Sequence, residues 1–370
     1  MLILNKIDRL FTELKLSPMD AYNQLRNVVV EVNALIGQLF NSDLFESSQL
    51  DDSNTNQAID FEAVDDEGVY FQPEFGNVIF ASASDKWAFS LEHFAKIYSA
   101  RMNVDCTELK NSLWGDYYLE TSSKQFKLGA SNKGKTPMFV KIVMENIWTI
   151  YNTVINSDME KLLKICSSLK LEVNEKRLQR NDNKTKIQTV LGKWLPLADG
   201  VLEAAVKYLP SPANLTEERV ERLLSSQLGV KFESLPKKTK LLKKNFMACE
   251  SSIDVPTIIF ISKLFPVLSS SLSDSKRRPL HSEDDPQVFL AFARVFSGQV
   301  KSHQKIYLIE PKYIPGTNID DSSKELPEFV KEIEIGDLFF LMGREVEKVD
   351  EIKAGNVFGI SGKSQYFLFY

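Results

Sequence analysis

Met1-Leu2-Ile3-Leu4-Asn5-Lys6-Ile7-Asp8 begins with an apolar run that stops at a polar residue, as a buried parallel strand does where it runs out into a loop. A second such run, Asn77-Val78-Ile79-Phe80-Ala81, is followed by Ser82-Ala83. Between the two, Ser17 and Pro18 read as an N-cap with proline at the first helical position. Leu25, Val28, Val29, Val32, Leu35, Ile36 and Leu39 keep helical spacing behind them, which predicts an amphipathic helix over residues 17–40. A further helix is predicted over 89–98, with Leu91, Phe94, Ala95 and Tyr98 on one face. Strand, helix, strand, helix is the order of an α/β domain.

Beyond this region the chain changes character twice. Residues 106–209 read as mostly helical, through Leu113-Trp114-Gly115-Asp116-Tyr117-Tyr118 and the stretches 139–151, 159–169 and 194–208. Pro210-Ser211-Pro212 ends that region, because proline cannot continue a helix interior. A lysine-rich stretch, 210–250, reads as a basic linker carrying Lys237, Lys238, Lys240, Lys243 and Lys244. From 251 to 370, short β-branched and aromatic runs at 257–261, 289–295, 305–309, 336–342 and 356–360 alternate with Gly, Pro and Asn, the pattern of a β-barrel. The expected organisation is therefore multidomain: 1–105, 106–209, the linker, and the barrel.

Composition narrows the functional classes. With 43% hydrophobic and 26% charged residues, the chain has the balance of a globular protein. No apolar run approaches the roughly 20 residues needed to cross a bilayer, and no signal peptide is evident, so a cytoplasmic protein without membrane contact is expected. Cys106, Cys166 and Cys249 lack metal-site spacing. No catalytic residue and no metal ligand is predicted. Asn183 and Asn214 begin Asn-x-Thr triplets that matter only in the secretory pathway. Charge is uneven about a net of −5: no Lys or Arg occurs from Asn27 to Asp85, where Asp51, Asp52, Asp60, Glu62, Asp65, Asp66 and Glu67 read as a solvated loop. Lys276-Arg277-Arg278 and the Lys237–Lys244 group are candidate phosphate contacts or plain solvated surface.

Asn5-Lys6-Ile7-Asp8 after a strand matches the Asn-Lys-x-Asp guanine-reading pattern. A carboxylate at Asp8 accepts from guanine N1–H and from its N2 amine, donors that adenine does not present in that geometry. Asn5 would reach the base edge and brace neighbouring loops, and the Lys6 stem would lie on the base plane. Ser82-Ala83 would offer backbone N–H to guanine O6. A rival is Gly129-Ala130-Ser131-Asn132-Lys133-Gly134-Lys135-Thr136, which matches the phosphate-loop pattern letter for letter. Its context is wrong: the preceding Lys124-Gln125-Phe126-Lys127-Leu128 is polar, and Pro137 stands where a helix should be running.

Phe292-Ala293-Arg294-Val295-Phe296-Ser297-Gly298, Pro311-Lys312-Tyr313, Leu341-Met342-Gly343-Arg344-Glu345 and Ala354-Gly355-Asn356-Val357 resemble the second domain of the translocase elongation factors. Trp194-Leu195-Pro196 and Leu209-Pro210-Ser211-Pro212 extend the likeness over nearly the whole chain. Val69-Tyr70-Phe71-Gln72-Pro73 and Phe80-Ala81-Ser82-Ala83 are more similar to the elongation-factor-like GTPases of large-subunit assembly, as is a polar insertion over 268–287. A translocase or spliceosomal relative is the alternative.

The resemblance implies a partial α/β GTPase domain with a helical or α+β insert and a translation-factor β-barrel. It implies GTP or GDP with Mg2+ in the complete protein, and guanine contacts from Asn5, Lys6, Asp8, Ser82 and Ala83. The implied partners are the large ribosomal subunit and its RNA, the Shwachman-Bodian-Diamond syndrome protein, and the anti-association initiation factor that is released. In such GTPases the phosphate loop and switch regions precede Asn-Lys-x-Asp, so this chain is expected to be a fragment, inactive alone. His303 replaces a hairpin glycine and Lys353 a proline of the family pattern, and 363–370 departs from it.

Overall fold

The computed structural model describes residues 1–50, 68–120, 125–180, 182–225, 232–272, 287–313, 326–343 and 345–361. The acidic run 51–67, Lys276-Arg277-Arg278, most of the polar insertion and the ending 363–370 lie outside them. The chain divides into two units, Met1–Leu209 and Pro210–Tyr370.

In the first unit, β1 (Leu2–Leu4) leads into α1 (Asp8–Thr12) and the long helix α2 (Pro18–Leu50), which runs past the expected end at residue 40. Ser17 caps it as predicted, its hydroxyl accepting the Asp20 N–H at 3.2 Å. Next come β2 (Val78–Ser82), β3 (Trp87–Phe89), α3 (Leu91–Met102) and α4 (Cys106–Leu113). Asn103 ends α3 in the left-handed conformation, at φ 54°, and Asp105 then caps α4 by accepting from the Thr107 and Glu108 N–H groups.

A hairpin follows, of β4 (Tyr117–Glu120) and β5 (Gln125–Leu128). This corrects the expectation that 113–118 is helical: Gly115 at φ 95° breaks the helix, and Tyr117 and Leu119 find cross-strand partners in Leu128 and Phe126. A π-helical segment, Phe139–Met144, opens onto α5 (Glu145–Ile155). Then come α6 (Met159–Ser168), α7 (Glu175–Leu178), α8 (Asn183–Trp194) and α9 (Leu197–Tyr208).

β1 pairs with β2 in parallel, Leu2 opposite Val78 and Leu4 opposite Phe80, and β3 adds antiparallel to β2. All five side chains of β2 and all three of β3 are buried, so the central strand is covered on both faces. A large apolar core lies on one face of the sheet, and a smaller cluster of Ile79, Ala81, Ala88 and Ala204 packs β2 and β3 against α9. Phe80 and Phe89 from the sheet meet Tyr22 of α2, Trp114 after α4 and Phe139 of the π-helical segment, with ring centroids about 5 Å apart. Each such ring contributes roughly 1.5–3 kcal/mol of burial, and the edge-to-face pairs add to it.

The second unit begins with α10 (Glu217–Ser225) and α11 (Lys237–Ala248), so the stretch read as a linker is largely helical. Val220 and Phe246 pack on Phe296. Among the described residues nine strands follow: β6 (Ile258–Leu268), β7 (Gln287–Ser297), β8 (Gln299–Lys301), β9 (Lys305–Ile309), β10 (Val330–Glu334), β11 (Leu338–Met342), β12 (Glu345–Val349), β13 (Glu351–Lys353) and β14 (Val357–Ile360). Five of them form a sheet in the order β12-β11-β14-β7-β6, while β9–β10 and β8–β13 form two ribbons. Among the described residues these do not close into a barrel. Ala291, Val295, Val300, Leu338, Ile352 and Phe358 fill the core between them. His303, at the turn between β8 and β9, has φ 61°, the backbone a glycine adopts freely.

Candidate guanine-binding site

The parallel pairing of β1 and β2 places the loops after both strands at one edge of the sheet, the side where open α/β sheets hold ligands. Lys6 turns the first loop through φ 68°, and Asn5 and Lys6 are exposed. The Ile7 N–H donates to Ala81 O at 3.3 Å, and the buried Ile7 side chain anchors the loop from below. Asn5 Oδ1 accepts two N–H groups, that of Lys6 at 2.8 Å and that of Ala83 at 3.0 Å. The sequence-predicted residues Asn5, Lys6, Asp8, Ser82 and Ala83 thus come from two neighbouring loops, with Asn5 bracing one against the other.

Two features differ from the expected roles. The Ala83 N–H, expected to face guanine O6, is donated to Asn5. Ser82 is fully buried, and its hydroxyl accepts the Asp85 N–H at 3.1 Å, which tightens the second loop into a turn. Asp8 behaves differently from its neighbours. Its Oδ1 is buried and has no hydrogen-bond partner, and a carboxylate oxygen left so costs about 1–3 kcal/mol unless a donor arrives. Guanine N1–H and the N2 amine are donors of the required kind.

Sequence reasoning missed what lies beneath the second loop. Asp85 is buried at 6% exposure, and Tyr151 of α5 donates its hydroxyl to Asp85 Oδ2 at 2.5 Å. Trp87 Nε1 in turn donates to the Tyr151 oxygen at 3.1 Å. Burial pushes the Asp85 carboxyl up, the Tyr151 hydrogen bond pulls it down, and the nearby Asp8 charge pushes it up again. Gln188 of α8 holds Ser84 O at 2.8 Å. Only the Ser-x-x-Asp spacing from Ser82 to Asp85 hinted at the turn; nothing local pointed to Tyr151.

The rival phosphate-loop match is a different object. Its residues follow an exposed hairpin strand, and only the short 3-10 turn Ser131–Lys133 forms before Pro137. Lys135 Nζ pairs with Glu120 at 3.0 Å and lies 4.3 Å from the Tyr118 ring centroid. Ser131 donates its N–H and hydroxyl to Asp116, so the loop satisfies itself.

No family model matches the chain. Elongation factor-like GTPase 1 of Homo sapiens is 35% identical over 453 residues, covering 99% of this chain and 40% of the relative. Ribosome assembly protein 1 of Schizosaccharomyces pombe is 31% identical over 407 residues, covering 98% of this chain and 38% of the relative. The chain belongs to the elongation-factor-like GTPases. Ribosome assembly protein 1 of Saccharomyces cerevisiae, 34% identical over 76% of the chain, is a further relative. The chain spans about 40% of the length of the longer-matching members of this family. No helix among its described residues is long and apolar enough to cross a membrane.

Proposed function

We propose that this chain supplies the guanine-reading part of a GTP-binding ribosome biogenesis factor that promotes late cytoplasmic maturation of the large ribosomal subunit. The observation that carries the reading is the buried, unpartnered Asp8 Oδ1 beside two loops tied together through Asn5. Asn5, Lys6, Asp8 and the Ser82-Ala83 loop would hold the base; Asn5 and the Ala83 N–H re-pair as guanine O6 enters. GTP, with Mg2+ in the complete protein, would supply the phosphoanhydride to be hydrolysed, held at its base by Asn5, Lys6, Asp8 and the Ser82-Ala83 loop. The residues of this chain select the base and exclude adenine. The ribosome assembly proteins among the relatives support ribosome assembly as the setting. Within that setting we assign the strands after residue 251 to a translation-factor barrel. The partners follow from the same assignment: the large subunit and its RNA, the Shwachman-Bodian-Diamond syndrome protein, and the anti-association initiation factor whose release is promoted.

The test is a chimera in which this chain replaces the matching segment of the Schizosaccharomyces pombe relative. Asp8→Asn should weaken GTP binding by about 2–3 kcal/mol, because two donors lose a charged acceptor. Xanthosine triphosphate, which presents an acceptor at that edge, should bind the variant better than GTP. Unchanged preference for GTP over xanthosine triphosphate would overturn the assignment.

A further inference from the structure

Tyr151 is fully buried, yet it touches both halves of the candidate site. Its hydroxyl reaches Asp85 under the Ser82–Ala83 loop, and its ring lies 5.0 Å from that of Phe11, one turn beyond Asp8 in α1. Trp87 fixes the hydroxyl from the other side. A buried carboxylate with one hydroxyl partner is a poor way to stabilise a core, since an apolar pair of the same volume would do as well or better. It is a good way to hold a loop in one position, because the Asp85 N–H simultaneously closes the turn on Ser82.

We infer that Tyr151 is a positioning residue for guanine recognition: through Asp85 and Phe11 it holds the Ser82–Ala83 loop and the Asp8 helix at a fixed spacing. This rests on the guanine-reading assignment and extends it into α5, in the segment expected as an insert. The groups facing Asp85 are Tyr151 from α5, Asp8 from α1 and Lys184 from α8. Of these, only Tyr151 both donates to Asp85 and packs on α1.

The experiment uses the full chain without nucleotide. Tyr151→Phe should speed amide exchange with solvent at Lys6, Ala83 and Asp85 by about tenfold, the scale of one hydrogen bond to a charged group. Ile79 and Phe80 in β2 should exchange as before. The carboxyl resonance of Asp85 should titrate at higher pH in the variant, because a donor to the charged form is gone. Uniform acceleration through β2, unchanged loop amides, or an unmoved Asp85 midpoint would each reduce Tyr151 to a plain core residue. If Tyr151→Phe does not fold, Asp85→Asn must accelerate the same three amides and spare β2; failure there also overturns the inference. The two readings fail separately. A base switch by Asp8→Asn in the chimera with undisturbed loops in Tyr151→Phe removes only the positioning role, whereas no base switch removes the guanine assignment itself.

Discussion

Gly200 sits where α9 crosses β3, and a Cβ added there would meet the Ala88 carbonyl oxygen at 2.8 Å and its carbon at 3.1 Å. Helix propensity alone says that Gly200→Ala should stabilise by about 1 kcal/mol. The contact says otherwise, because both atoms belong to the backbone of a fully buried strand and cannot swing aside. Relief needs α9 to lift by several tenths of an ångström. That lift would stretch the Ala88 N–H bond to Leu195 O, now 3.0 Å, which ties the strand to the turn before α9. Overpacking of this sort costs about 1–3 kcal/mol, so the net expectation is a loss of up to about 2 kcal/mol. Gly192→Ala is the control: its Cβ would lie 3.3 Å from Lys86 O, a contact that small adjustment relieves, so the helix gain should roughly cancel the cost. All four tryptophans lie in the first unit, so the urea midpoint from tryptophan fluorescence reports on that unit alone. Equal midpoints for the two variants would refute the argument that α9 is seated on the β3 backbone.

Glu92 is held at a pKa of about 2 by hydrogen bonds from Lys96, one turn on in α3, and from Lys207 of α9, the second of which joins the two helices. A depressed folded pKa means stability that is present above about pH 4.5 and lost as pH falls towards 2. After discounting for partial exposure, Glu92→Gln should cost about 1 kcal/mol at pH 7 and nothing at pH 2, read from denaturation at both values. His303→Gly should raise the stability of the second unit by about 0.5–1 kcal/mol, because glycine adopts φ 61° without Cβ strain, less its larger unfolded entropy. Calorimetry of the whole chain checks this, and a lower transition would show that the contacts of His303 with Glu334 and Asp337 matter more. Lys135→Ala should leave guanine nucleotide affinity in the chimera unchanged by titration calorimetry; a large loss would restore the phosphate-loop reading.

The strands and the two loops of the candidate site were legible because their signals are local. An apolar run ending at Asn5-Lys6-Ile7-Asp8, and another ending at Ser82-Ala83, needed no partner to be recognised. β3 was not legible, since Trp87-Ala88-Phe89 is only three residues and declares itself only by pairing with β2. The same holds for β4, whose aromatic residues suit a strand or a core helix equally until the hairpin with β5 forms. α11 could have been found: Leu242 and Phe246 stand four apart among the lysines, an apolar stripe that the charge obscured. Its lysines are also less free than their number suggests, because Lys243 pairs with Glu217 and Glu221. Asp85 and Tyr151 lie 66 positions apart, and only the packed core brings them together.

Asn5 and Ala83, which brace the two loops, are 78 positions apart and meet only after β1 and β2 pair in parallel. Pairings of that range close late, because the loop entropy must be met before the contact forms. A chain still folding therefore has the Asn-Lys-x-Asp residues long before it has a pocket, and Tyr151 reaches Asp85 later still in synthesis. On the guanine-reading proposal, a bound base distinguishes a finished first unit from one that is merely collapsed. Nucleotide added during refolding should stabilise only the final state and leave the early rates unchanged.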